Sequence, residues 1–600
     1  MFPTFLIPIL FAFSAYAADP RLISGGSIIP DENYADQPYV VIMKDSNWLC
    51  VLTTGQGVEG RPGQHIVSTI SKDKGKTWSP LIDIEPANGP EASWVMPLIV
   101  PSGRVYVFYT YNRDNLREIK SNHQNNTKRV DTMGAYMFKF SDDNGRSWSK
   151  ERYEIPMRKM RIDRENYHNG EVMFFWGVGK PIIVEKPSPY AIFGFAKVGR
   201  WGQPGTMIES EGCFLRSDNI LTERDPAKIR WTLLPDGDQG LRSPKGPVSD
   251  EANLVSLSDG ALYATYRTID GYNAAAYSRD RGHTWTPSAF AEYTPGGRKI
   301  KHPRAANFVR KFSNGKYLLW FHNHGGDAAH SPEWTNNPTG YYRNRNPAWI
   351  LGGIERSGHI YWSQPEILLY DDDPAVRISY PDFVENGGRF FVTETQKEVA
   401  RVHEIDKALL DAVWNQHTVK TVARDGLAVE WAPAKGAQLD VSAIGANFTV
   451  DLWVRFKELT AGQVLFDSKD ASGKGVVLAT GDRFNLTLTM HDGRQEAVAE
   501  SDWGTHSGTL RTGVWQHVAV VVDAGPRIVS FIIDGEFNDG GSTRQYGWTR
   551  FPRDLGNPNG RSQATIGKGV IGELSVLRIY NRYLRTSEVV GNWHAGVPSR

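Results

Sequence analysis

The sequence is poor in cysteine: 600 residues contain two, Cys50 and Cys213. That excludes a disulfide scaffold and leaves either one pair in an oxidising compartment or two buried thiols, since strand-like patterns surround both. Net charge is also lacking. Lys+Arg 68 against Asp+Glu 67 leaves +1, which argues against nucleic acid or an anionic membrane as a partner and makes any recognition of charge local. No Cys/His spacing suits a structural zinc site, and neither a metal nor another cofactor is expected. Past the first residues no apolar run is long enough to span a membrane, and long helical periodicities are scarce. What is plentiful is glycine (59), tyrosine (24) and tryptophan (19), set among short alternating runs. That is the make-up of an all-β chain with many turns. Six hundred residues exceed one core and imply two or three domains.

The N-terminus carries a short apolar stretch that ends at Ala15-Tyr-Ala17-Ala18-Asp19. An Ala-x-Ala junction after such a stretch is what a signal peptidase accepts, although no Lys or Arg precedes it. Residues 1–18 are expected to be a signal peptide, and the mature protein to be secreted or periplasmic.

One stretch recurs. Ser71-Lys-Asp73-Lys-Gly75-Lys-Thr77-Trp78 returns as Ser141-Asp-Asp143-Asn-Gly145-Arg-Ser147-Trp148 and as Ser278-Arg-Asp280-Arg-Gly282-His-Thr284-Trp285. Each copy follows a short alternating run. The pattern predicts a strand entering a tight turn, with Asp accepting bonds from the turn backbone, Gly at positive φ and Trp as an apolar plug. The second spacing is near twice the first, so a repeat with an eroded box is expected around Leu215–Ile220 and Trp231. Hairpins are predicted at Asp259-Gly260 and Asn314-Gly315. A period of 65–75 residues over about 400 residues is a propeller signature, and six blades are expected over residues 19–420. Polar insertions at 112–131, 156–170 and 324–346 are expected on the rims.

The pattern changes near 420. Trp515-Gln-His517-Val-Ala, the Asp534-Gly535 hairpin and the Gly572–Leu584 ending resemble the laminin-G/concanavalin A-like sandwich. The resemblance covers 436–598. It implies a β-sandwich, which in that family binds glycans or acts as a spacer.

The boxes, the period and the export signal together resemble the sialidase superfamily. The resemblance implies three arginines for a substrate carboxylate, a tyrosine nucleophile polarised by a glutamate, and an acid/base carboxylate before the first box. Ser379-Tyr380-Pro resembles the nucleophile strand, with Glu394 after the next hairpin. Ser249-Asp-Glu251 and Tyr266-Arg267 resemble the glutamate, hairpin and arginine. A hairpin returns to its starting rim, so Glu251 and Arg267 are expected side by side. Arg345, in Arg343-Asn-Arg345, resembles the third arginine, with Arg304 as a rival.

The N-terminal end departs from that pattern. Asp36-Gln37-Pro38 stands where the first arginine would be, and the loop before the first box has Glu59, Arg61 and His65 but no Asp. His65 is therefore the candidate acid/base, with Glu59 or Arg61 to tune it. His322, with His302 and His324, is a candidate for the pocket, and Trp94, Tyr109 and Tyr111 are candidates for sugar stacking or, equally, for the core. The expected function is a secreted glycosidase of exo-α-sialidase type that cleaves terminal, acidic sugars from glycans. The alternatives are a lyase or non-sialic glycosidase on uronate-containing glycans, and a non-catalytic glycan-binding propeller.

Overall fold

A computed structural model describes residues 19–121, 128–202, 207–330, 344–435 and 438–598; the expected signal peptide and much of the 324–346 insertion lie outside them. The chain is all-β. Antiparallel sheets follow one another from Ser27 to Ile405, and two further sheets run from Leu427 to Tyr580. The first sheet pairs Tyr34–Ile42, Trp48–Gly55, His65–Ser71 and Ile82–Asp83. A nine-stranded sheet runs from Ala92–Ile99 to Thr232–Leu234 and is continuous because Met173–Trp176 bonds to strands on both sides. Sheets of four strands (from Asp250–Ser256) and five strands (from Phe308–Lys311) follow. In the last, Ser379–Asn386, Arg389–Thr395 and Ala400–Ile405 are joined by Ser27–Ile29 from the other end of the chain. The hydrogen bonding thus gives five sheets. A count of six needs the nine-stranded sheet divided at Met173–Trp176.

The second unit is a sandwich of seven- and six-stranded sheets around Val450, Leu452, Phe466, Leu478, Val520 and Ile579. Its first strand, Leu427–Trp431, begins upstream of residue 436. One apolar cluster crosses between the two units, joining Val309, Leu319 and Trp349 to Ile532, Phe537 and Trp548. No helix among the described residues is long and apolar enough to cross a membrane. Both cysteines are free and buried.

The three boxes fold alike. Ser71 Oγ bonds Asp73 Oδ1 (2.8 Å) and accepts from Gly75 N (2.8 Å), while the Asp73 carboxylate accepts from Thr77 N (2.8 Å) and Oγ1 (2.6 Å). The other copies repeat these bonds. Glycine is at positive φ in each, as is the residue before it: Lys74, Asn144 and Arg281. The eroded copy keeps a Ser217–Asn219 contact at 3.3 Å. Gly145 has φ 77°, and a Cβ there would lie 2.4 Å from Leu49 Cδ1 in the neighbouring sheet. Gly145→Ala is expected to destabilise the propeller by about 2 kcal/mol or more, from the left-handed backbone and the overpacking together. Thermal unfolding checks this; an unchanged midpoint would count against the contact.

Four inner strands carry the same irregularity near their start. Two residues oppose one across each of Asp36/Tyr39, Ser93/Met96, Asp250/Asn253 and Ser379/Asp382. The first extra residue is at positive φ every time: Gln37 (54°), Trp94 (63°), Glu251 (53°) and Tyr380 (47°). A bulge of this kind re-aims one side chain, and non-glycine residues persist there only when the surroundings hold them.

Candidate active site

Two of the bulge residues meet. Tyr380 Oη donates to Glu251 Oε1 at 2.9 Å. The same oxygen accepts from Trp176 Nε1 at 3.2 Å and forms an ion pair with Arg267 Nη1 at 2.5 Å. Arg267 grips Asp250 with two bonds, 2.8 and 2.9 Å, as the register of Asp250 opposite Arg267 dictates. Glu251 is fully buried and Tyr380 is 3 % exposed. Burial pushes the Glu251 carboxyl up, and Arg267 opposes that. Burial and then Glu251 push the Tyr380 phenol up, against the pull of Lys397 and Arg267. Tyr380 is therefore a neutral phenol whose proton points at a carboxylate.

With Glu251 of this pair, four further carboxylates, Asp36, Glu59, Asp131 and Asp250, interleave with five cations, Arg129, Arg267, Arg304, Arg345 and Lys397. Lys397 Nζ bonds Asp36 Oδ2 at 2.5 Å and Glu59 Oε2 at 3.1 Å, and it lies 4.2 Å from the Tyr380 ring centre. Arg129 joins Glu59 (2.6 Å) to Asp131 (2.7 Å) and lies over Trp176, itself 4.2 Å from Trp94. Burial raises the Glu59 carboxyl, but Lys397 and Arg129 outweigh it and hold it well below the usual range. Arg304 reaches Met207 O at 2.7 Å and Asp250 at 3.6 Å. Arg345, 4 % exposed, bonds Ser379 Oγ at 2.6 Å and Arg304 O at 3.4 Å. Among the described residues no carboxylate lies within ion-pair distance of it. Burial lowers its pKa. Several buried polar atoms meet no hydrogen-bond partner among the described residues: Glu251 Oε2, Asp36 Oδ1, Arg345 Nε and both amide atoms of Gln37.

The structure thus brings Asp36, Glu251, Arg267, Arg304, Arg345 and Tyr380 into one cluster. His65 stands apart. Its ring bonds Gly63 O at 3.0 Å and lies 3.7 Å from Glu32 and 3.9 Å from Asp83. Its loop neighbour Glu59 is the residue that enters the cluster. Glu394 sits across the bulge from Tyr380, but its carboxylate turns away to His403 (3.2 Å) and Gln396. His302 and His322 stack at 5.9 Å beside the cluster; burial lowers both, His302 to about 3. His324 faces Tyr546 of the sandwich at 4.7 Å. No group of three or more potential metal ligands occurs among the described residues.

Sequence reasoning missed Lys397, Arg129, Asp131 and Asp250. Asp250 could have been found as the residue registered against Arg267. Arg129 and Asp131 lie in the 112–131 insertion, where a rim contribution was expected.

A family described as a BNR repeat-like domain matches residues 91–392, and the concanavalin A-like lectin/glucanases superfamily matches residues 434–590. No curated protein matches the chain. Among solved structures it is similar to a Trypanosoma rangeli sialidase bound to 2,3-difluoro-KDN (12% identity, TM-score 0.42, covering 94% of this chain and 93% of that one). It is also similar to a Dyadobacter fermentans protein of unknown function (16%, 0.44, 64% and 97%) and to NanB sialidase from Streptococcus pneumoniae (13%, 0.43, 63% and 70%). Since the first of these families spans half of the sequence, the chain belongs to the BNR repeat-like domain family.

Proposed function

We propose that the chain is a glycoside hydrolase of sialidase type that removes terminal acidic sugars from glycans. The observation that carries this reading is the 2.9 Å bond from Tyr380 to a buried glutamate inside a cluster of arginines. Tyr380 oxygen attacks the anomeric carbon as the glycosidic bond breaks and Glu251 takes the phenol proton; water then displaces the tyrosyl oxygen from the sugar, and the proton returns to Tyr380. A phenol suits this step because a carboxylate nucleophile would be repelled by an anionic sugar. Sequence makes His65 the candidate acid/base and Glu59 only a residue to tune it, but Glu59 is the side chain of that loop that enters the cluster, and in this reading Glu59 is the leaving-group acid. Lys397 and Arg129 hold it ionised in the free protein, so this reading requires that substrate binding loosen that hold before Glu59 can donate. Arg345, buried with no acid beside it among the described residues, receives the anionic substituent of the sugar. Gln37 and Asp36 offer their free atoms to sugar hydroxyls. The same reading takes residues 1–18 as an export signal, 19–420 as a six-bladed propeller and 427–598 as the sandwich, nine residues longer at its start than the 436–598 expected from sequence.

Hydrolysis of 4-methylumbelliferyl α-N-acetylneuraminide and β-glucuronide, with ultraviolet absorbance followed on uronate polymers, tests the reading. Release of the fluorophore supports it. Growth of an absorbing, unsaturated product with no hydrolysis replaces it with elimination. Arg345→Met is expected to cost roughly 10–100-fold in kcat/KM, the worth of a charge-assisted pair, mainly through KM. Equal activity of the variant on the acidic glycosides would remove Arg345 from its role.

A further inference from the structure

We infer that the sandwich domain is part of the sugar site, because its loop 538–550 holds Arg345 in position. The inference rests on the reading of Arg345 as the anion-binding group. Among the described residues no carboxylate aims Arg345, and its contacts there are its backbone and two oxygen acceptors. Both flanking residues are tied to the sandwich. Asn344 Nδ2 donates to Tyr546 Oη at 2.5 Å. Arg550 Nη2 donates to Asn346 O at 2.8 Å. A relay reinforces the first tie: His324 Nε2 bonds Asn344 O at 2.6 Å, and its Nδ1 lies 3.1 Å from Gln545 Nε2.

The loop is built to act as a fixed support. The Asp502 carboxylate accepts from Asp539 N and Gly540 N at 3.0 Å, and from Arg544 at 2.5 Å. Gly547 packs so closely that a Cβ would lie 2.1 Å from Asn538 O. The propeller side is pinned in turn. Lys301 Nζ donates to Asp539 O (2.7 Å) and Arg544 O (2.8 Å), Trp548 Nε1 to Asn323 O (2.8 Å), and Gly325 N to Gln545 O (3.0 Å). Tyr546 and Arg550 are therefore positioning residues. They touch no reacting atom, and they act through the backbone on either side of Arg345. Small misplacements of a binding group are costly because the productive geometry is narrow.

The test uses the full chain with Tyr546→Phe, Arg550→Met, the double variant and Arg550→Lys. Two readouts are taken: steady-state kinetics on the two methylumbelliferyl glycosides, and hydrogen exchange in residues 344–350. The double variant is expected to raise KM about tenfold with kcat within about twofold, the pattern of lost uniform binding, and to speed exchange at 344–350. Arg550→Lys, which keeps a donor, should recover much of the KM. Unchanged exchange and unchanged KM in the double variant overturn the inference. A parallel fall in kcat with exchange accelerated throughout the propeller also overturns it, since that is general loosening. If the wild type hydrolyses neither glycoside, the proposed function falls, and exchange at 344–350 alone decides whether the sandwich holds this segment.

Discussion

Tyr380→Phe is expected to lower kcat/KM at least about a thousandfold, as removal of a nucleophile does, and to leave KM and the fold nearly unchanged. The ring has its own reasons to stay. It packs in an apolar cluster with Trp94, Trp176 and Ala306 and under the Lys397 ammonium, and phenylalanine keeps both contacts. Only the hydroxyl is lost, and with it one bond to Glu251. Glu251→Gln is the companion. It keeps the volume and an acceptor for Tyr380 but removes the charge that draws the proton, so a loss of roughly 10²–10⁴-fold is expected. It also leaves Arg267 with Asp250 as its one acid. Because burial raises the Glu251 carboxyl, wild-type activity should fall on the acid side above the ordinary glutamate range. The carboxylate form, present above that pKa, is the one that can accept the proton. Kinetics with either glycoside, alongside thermal unfolding of each variant, check the pair. Wild-type rates in both variants would end the nucleophile assignment.

The elements that were legible in the sequence are those that a local pattern encodes. The boxes, the Asp259-Gly260 and Asn314-Gly315 turns and the sandwich strands each follow from residues within reach of one another along the chain. Glu251 and Arg267 were legible together because a hairpin brings its ends to one rim. The bulges were not. Gln37, Trp94, Glu251 and Tyr380 share no residue type, and positive φ at a non-glycine residue is imposed by the sheet around it. The neutralisation of Asp36 was hidden for a different reason. Its cation, Lys397, comes from the far end of the propeller sequence and meets it only because the last sheet closes on the first. His65 was chosen for its ionisation range and its place in a loop. Within that loop the side chain that turns inward is Glu59, and sequence carries no signal for which of them does so.

The largest effect on stability is expected below the site. Lys180 Nζ lies 2.6 Å from Asp382 Oδ2 and 2.6 Å from Val40 O, and Asp382 also accepts from Val40 N at 2.8 Å. The pair is buried and joins three separate segments of the propeller, one of them the strand that carries Tyr380. Asp382→Ala leaves an ammonium in the interior with one carbonyl for company, and a loss of about 3–5 kcal/mol is expected. Burial already lowers Lys180 to about 8 with Asp382 in place. A lysine depressed in this way makes the native state hold fewer protons than the unfolded one between about 8 and the usual lysine range. Its penalty is therefore complete below that window and relieved as pH rises through it. Removing Asp382 drops the folded pKa further, so the window opens at lower pH. The single variant should then be more damaged at pH 7 than at pH 9, measured as urea midpoints against the wild type. Lys180→Met with Asp382→Leu removes both charges and should recover most of the loss with no pH dependence of its own. If the single variant costs less than about 1 kcal/mol, within reach of an exposed pair, the charges are solvated and the pair does not anchor the Tyr380 strand. If the double variant regains stability but not activity, the ion pair does more than hold the strand: it sets the bulge from which Tyr380 reaches Glu251.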